Sequence, residues 1–312
     1  MFRILAIVVS IVTPFLLMRS EAKAQWQGDG SVVHEYSIVE GEEDSLFFPS
    51  FVWTDPVAKE VYVIDGKSRI IIYTQDFFPL FTLDKRRGVE SPQGLVVDPR
   101  GNLYVAQSAT KDNPRHRISV FNARLKWVRD IYLEGFEGSD RFNPYRLAMD
   151  GAGNIYVAGS YFPGVIVIDK QGRLLDVLSP EEDGRRVDLN YVTLDAKGRI
   201  YLVSEEMGHV YVYDENRKFL FKFGRKGGST GKLSRPMAAG VDTRRGRIYV
   251  VDYMRHTVSV YDMQGNYMFE FGGLGLEPGW FQFPRDISVD ASGRILVADT
   301  FNNRVEVYKP EE

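Results

Sequence analysis

Residues 279–308 read GWFQFPRDISVDASGRILVADTFNNRVEVY. A proline opens a short alternating strand, PRDISVD, that ends on Asp290. A polar turn leads into ILVAD from Ile295, and a second turn, TFNN, leads through Arg304 into VEVY. Alternating β-branched and aromatic residues bounded by Gly, Asn and Asp mark strands joined by tight turns. The same phrase occurs five more times upstream, with first strands ending on Asp55, Asp98, Asp150, Asp195 and Asp242. From Asp55 to Asp290 the intervals are 43, 52, 45, 47 and 48 residues, a period that suits propeller blades of four strands each.

The later strands of the unit are as regular. Second strands read VYVID from Val61, LYVAQ from Leu103, IYVAG from Ile155, IYLVS from Ile200, IYVVD from Ile248 and ILVAD from Ile295. Third strands run from IIIYT at Ile70 to VEVYK at Val305, but a fourth strand follows only five of them. The missing one is expected at the other end of the chain, where residues 32–39 read VVHEYSIV. The expected fold is therefore all-β: a six-bladed β-propeller of four-stranded antiparallel blades over residues 25–312, its ring closed by the N-terminal strand. Closure would cover two open sheet edges and tie the termini together.

These motifs resemble NHL repeats over nearly all of residues 25–312, best in residues 279–308 and next best in residues 231–261. The fourth copy departs from the pattern, with Leu189 where the family has proline. No Trp-Asp ends a third strand, which speaks against WD40. The resemblance implies the fold; for function it leaves enzymes, RNA readers, receptor modules and scaffolds open.

The N-terminus carries an address. Arg3 precedes an apolar run over residues 4–18, followed by Ala22-Lys23-Ala24, the layout of a secretory signal peptide cleaved after Ala24. An uncleaved anchor is the alternative. Residues 1–24 are expected to be a leader, giving a periplasmic or secreted protein with no membrane insertion after cleavage. The chain has no cysteine, so disulfides, thiolate metal sites and catalytic thiols are excluded by composition. A formal charge of −3 does not suggest a nucleic-acid binder, and no nucleic-acid partner is expected.

No catalytic constellation and no cofactor emerge from the motifs. The leading expectation is a protein-binding or scaffold module of the cell envelope, its partner an exported envelope or electron-transfer component. Two alternatives remain. One is a small-ligand sensor. Its candidate residues are those that start the first strands, Gln93, Arg146, Asn190, Tyr191, Arg285 and Asp286, placed at the channel mouth. Blades three and six are opposite each other, so Arg146 and Asp286 are expected to face across that mouth. The other is a metal-dependent enzyme of the lyase or lactonase-like propeller class, suggested by the resemblance to exported NHL lyases. It would hold a divalent metal through His116, His209 or His256, whereas His34 belongs to the closing strand. For a protein partner, Phe77 and Phe78 stand where blade five has Gly and Asn in its turn, with Leu125 and Trp127 next door. They form a candidate apolar docking patch. The opposing reading folds the Phe rings back over the outer strand.

Overall fold

A computed structural model of the chain describes residues 31–311, and the leader expected over residues 1–24 lies outside them. Every aspartate that marks the repeat closes a turn on itself. Asp98 Oδ1 accepts from the amides of Arg100 and Asn102, both at 2.9 Å, and Asp290 Oδ1 accepts from Ser292 (2.8 Å) and Arg294 (2.9 Å). An Asp side chain that satisfies the backbone two and four residues on, or two and three at Asp55 and Asp242, is why each first strand stops there. Burial would raise the Asp98 carboxyl. Asn102 and the turn amides outweigh it and hold Asp98 below the ordinary carboxylate range.

Six four-stranded antiparallel sheets result. Blade one is Phe51–Thr54, Val61–Asp65, Arg69–Tyr73 and Pro79–Leu83. Blade two is Pro92–Val97, Leu103–Gln107, Arg117–Phe121 and Trp127–Ile131. Blade three is Asn143–Met149, Ile155–Ser160, Val165–Ile168 and Leu174–Leu178. Blade four is Tyr191–Leu194, Ile200–Ser204, His209–Tyr213 and Phe219–Phe223. Blade five is Pro236–Asp242, Arg247–Asp252, Thr257–Asp262 and Tyr267–Gly272. Blade six takes Pro284–Val289, Ile295–Asp299 and Arg304–Pro310 from the C-terminus and Val32–Ile38 from the N-terminus. Each first strand packs against the first strands of both neighbouring blades, so the six form a ring.

Burial explains the sequence pattern. Second strands such as Val61–Asp65 and Ile295–Asp299 are buried along their whole length because neighbouring blades cover both faces. They read as continuous apolar runs and not as strict alternation. Fourth strands such as Phe219–Phe223 are largely exposed until their last residue. The core lies between blades, in five clusters that each draw on adjacent sheets.

The last blade is joined by an ionic latch. Val32–Ile38 runs antiparallel to Arg304–Pro310, from Val32 opposite Pro310 to Ile38 opposite Val305. Across that seam the fully buried Glu306 accepts from His34 Nε2 (2.7 Å) and Ser37 Oγ on the N-terminal strand. On its other side it takes Arg304 Nε (2.8 Å) and the Gly279 amide (3.0 Å). Ion pairs also join the end of a second strand to the start of the third: Arg69 Nη2 to Asp65 at 3.0 Å in blade one and Arg304 Nε to Asp299 at 3.1 Å in blade six.

Candidate functional site

The first strands stand innermost, and a repeated irregularity decides which side chains meet on the axis. In blades two, three, five and six the pairing register shifts just after the opening proline, at Gln93, Tyr145, Met237 and Arg285. A bulge re-aims the next side chain. The residues two beyond each blade's opening position are Phe51, Gly94, Arg146, Tyr191, Ala238 and Asp286. Opposite blades therefore present one charge pair, one aromatic pair and one small pair. Gly94 has no alternative, because a Cβ there would lie 2.4 Å from the Tyr145 carbonyl oxygen. The small pair leaves room for a long side chain to cross the axis.

Arg146 is that side chain. Its Nη1 donates to the Gln93 and Tyr145 carbonyls, the latter at 2.9 Å, and its Nη2 donates to the Ser50 carbonyl at 3.2 Å. Its Nε lies 3.8 Å from the Asp286 carboxylate, and its guanidinium sits 5.2 Å from the Phe51 ring and 5.9 Å from that of Tyr191. Asp286 accepts from the amides of Val52 (3.3 Å) and Ile287 (2.9 Å). Ser288 covers the next amide of the same edge, Thr54, at 3.1 Å. Blades three and six thus satisfy the bare inner edges of their neighbours, backbone groups that need partners when buried. Burial pushes the Asp286 carboxyl up to about 6 against the opposing pull of Arg146, and burial also drives the Tyr191 phenol up.

The six residues expected at the channel mouth thus divide. Arg146, Tyr191 and Asp286 come together on the axis. Asn190 is a strap, donating to the Pro236 and Met237 carbonyls (3.3 and 2.9 Å) and accepting the Glu205 amide at 2.6 Å. Gln93 turns back to Ser91 at 3.4 Å, and Arg285 lies 5.6 Å from the Tyr253 ring. The converged end is filled, and the open end is the other one. From the Arg146 floor a cavity of about 550 Å³ extends past Trp53, Met149, Leu194 and Val241 to the first-to-second-strand turns. Its rim there carries the exposed Pro99, Ala196 and Ala291. The mouth therefore lies on the face opposite the one expected, because long side chains converge at the strand starts and small turn residues stand at the strand ends.

The histidines act separately. His116 Nδ1 accepts the Ala109 amide (3.0 Å), His256 Nδ1 accepts the Phe283 amide (3.0 Å), and His209 Nδ1 meets Glu182 at 3.0 Å. With His34 in the latch, no three His, Asp or Glu side chains gather as a metal would require among the described residues.

The expected apolar patch also divides. Phe77 occupies a left-handed turn position (φ 67°), as do Leu125 (55°) and Gly265 (84°) in their blades. From that position Phe77 folds back onto the preceding blade, stacked on Tyr36 at 5.8 Å and beneath Arg294 at 4.4 Å, and it is buried. Leu125 packs half-buried on the blade-one core. Where Gly265 stands, a Cβ would meet Phe223 at 2.5 Å, so the seam is filled from the other side. Phe78 and Trp127 remain outside, 69% and 55% exposed. Phe77→Ser is expected to lower stability by about 3 kcal/mol and Phe78→Ser by less than about 0.5 kcal/mol, read from urea unfolding midpoints. Equal effects would contradict this placement.

One feature was not legible in the motifs, and it lies on the connector face, where each blade's last strand passes to the next blade's first. Rings of Tyr253, Phe283, Phe301, Phe48 and Phe47 follow one another with centroids 4.9, 5.1, 5.2 and 4.6 Å apart, across blades five, six and one. The signal was present as Phe-Pro at residues 48–49 and 283–284, the starts of two adjacent blades.

Residues 281–308 match the NHL repeat family. That repeat forms most of the sixth of six blades in one ring, so the chain is a six-bladed β-propeller that carries an NHL repeat. Among solved structures it is similar to an auxiliary nutrient binding protein from Bacteroides ovatus, at 15% identity and TM-score 0.68, covering 92% of this chain and 78% of that one. A protein of unknown function from Bacteroides thetaiotaomicron gives 14% and 0.67, covering 91% and 77%. A streptogramin B lyase gives 9% and 0.60, covering 90% and 98%. At these identities the likeness is one of fold. No curated protein matches the sequence.

Proposed function

We propose that the protein is an exported binding propeller that takes a small molecule into its channel through the face of the first-to-second-strand turns. The observation that carries this reading is the cavity of about 550 Å³ ending on Arg146 and Tyr191, with Asp286 buried behind the arginine. Concave, mostly apolar sites of a few hundred Å³ with a few convergent polar groups are the usual form of small-ligand pockets. Arg146 brings a positive charge to the floor of that cavity, its Nε buried and facing the Asp286 carboxylate at 3.8 Å. The fold shared with proteins described as nutrient binding is in keeping with this role.

The test is thermal unfolding of protein recovered from the envelope or medium, where an N-terminus at Gln25 would mark export. Across a panel of sugars, amino acids and small organic acids, a ligand at a hundred times its Kd stabilises by about 2.7 kcal/mol, a shift of several degrees. Arg146→Lys, which keeps the charge and loses the planar fork, is expected to abolish that shift. No shift with any compound would end the channel reading. A protein partner is the second reading, favoured by Phe78 and Trp127 standing exposed where the outer strands of neighbouring blades begin.

A further inference from the structure

The aromatic row on the connector face is built under constraint. Phe48 and Phe283 both hold left-handed backbone, φ 47° and 54°, immediately before a proline. For a bulky residue that conformation is an outlier that costs on the order of 1–3 kcal/mol. Each strained amide has its own acceptor from the preceding blade: Asn303 Oδ1 at 2.8 Å for Phe48 and His256 Nδ1 at 3.0 Å for Phe283. Asn303 and His256 are themselves left-handed (φ 55° and 56°). The device is thus made twice, in adjacent blades, and it joins Phe48 and Phe283 to the outward-lying rings. Phe47 and Phe301 remain 45% and 44% exposed, with Met254 beside Tyr253 at 51%. Contiguous exposed apolar surface of this kind marks an interface.

Charge identifies the occupant. At the blade-five end, Arg235 and Arg285 lie 5.3 and 5.6 Å from the Tyr253 ring. At the blade-one end, the loop before Phe47 carries Glu42 and Glu43, both exposed. Arg235 is paired with Glu205, and Lys67, 6.0 Å over the Phe47 ring, with Asp44; beyond these pairs Arg285 leaves one end of the row net basic and Glu42 and Glu43 leave the other net acidic, with apolar rings between. A surface polarised in this way complements itself when a second copy is turned through a two-fold axis, each basic end meeting the other's acidic loop. We propose that this face is the interface of a homodimer. The channel opens on the opposite face, so dimerisation leaves both cavities accessible and pointing apart.

Sedimentation velocity of the chain from Gln25 to Glu312, which contains every described residue, tests this from 1 µM to 1 mM protein, a range set to span about the affinity of a small interface. A monomer–dimer equilibrium is expected. Phe301→Ser, at an exposed position, should weaken it at least tenfold with the unfolding midpoint unchanged. Glu42→Arg with Glu43→Arg should weaken it as well, and adding Arg235→Glu with Arg285→Glu to the same chain should recover it in part. A monomer at every concentration would overturn the proposal and leave the row to a different protein. A dimer indifferent to Phe301→Ser would overturn it too. Neither result bears on the channel.

Discussion

Glu306→Ala is expected to lower the stability of the propeller by on the order of 3–5 kcal/mol and to release the N-terminal strand. The carboxylate is fully buried and serves both sides of the ring's one seam, with His34 and Ser37 from the N-terminal strand and Arg304 and the Gly279 amide from the C-terminal side. Removing it leaves a buried guanidinium and a buried amide short of an acceptor, and loosens a strand that no covalent link holds. Part of the cost is returned at Asp299. Burial raises that carboxyl to about 6, and the nearby Glu306 charge adds to the rise. Glu306→Gln keeps the shape and the acceptor oxygen, so its cost should be nearer 1–2 kcal/mol, about the value of hydrogen bonds to a charged group. Urea unfolding gives the magnitudes. Amide hydrogen exchange gives the mechanism, because protection should collapse first over residues 32–38. An alanine variant within about 0.5 kcal/mol of the parent protein, with that strand still protected, would show that the strand pairing holds without the latch.

The sequence disclosed what is local and concealed what is not. The Asp turns were legible because each turn is closed within five residues, Asp98 Oδ1 by the amides of Arg100 and Asn102. Their spacing then counted the blades. Glu306 was concealed, since VEVY reads as a strand with one polar residue facing water, and only the chain's distant end turns that residue inward. The meeting of Arg146 and Asp286 was readable from blades three and six being opposite. The division of the six channel candidates was not: in blades two, three and six it follows from a bulge after the opening proline, which sends Arg146 and Asp286 to the axis and Gln93 and Arg285 elsewhere, whereas blade four has no bulge and simply starts its strand on Tyr191, with Asn190 strapped to the next blade. Phe77 failed for the same kind of reason. A left-handed turn residue has to fold its side chain back onto the preceding blade, and that geometry is invisible in the composition of the turn.

Replacing Arg146 by Met is the second substitution expected to have a large effect, and pH is what identifies its cause. The folded protein holds Asp286 at about 6, above the ordinary carboxyl value of 3.8. A carboxyl with a raised folded pKa binds more protons in the native state than in the unfolded one between those values. Its contribution is therefore fully present below about pH 4 and is lost as pH rises through about 6. Arg146 limits that loss by facing the ionised form across 3.8 Å. Without the guanidinium, Asp286 is a buried charge with only neutral hydrogen-bond partners, and the Gln93, Tyr145 and Ser50 carbonyls lose their donor. The penalty for Arg146→Met should accordingly be on the order of 3–5 kcal/mol at pH 8, where Asp286 would have to remain charged or take up a proton against the solution. It should shrink at pH 5, where protonation removes the charge. Adding Asp286→Asn should recover part of the loss at pH 8 and little at pH 5, since the amide oxygen can still accept from Val52 without a charge. Glu182, held at about 2 by Lys222, Tyr211 and His209 against its own burial, contributes in the opposite sense and in a lower window, losing its effect only as pH falls from about 4.5 to 2. Unfolding midpoints of the parent protein, the single variant and the double variant between pH 4.5 and 8 separate the two. A penalty for Arg146→Met that is flat across this range would mean that the lost carbonyl contacts, and not the stranded Asp286 charge, are what the arginine prevents.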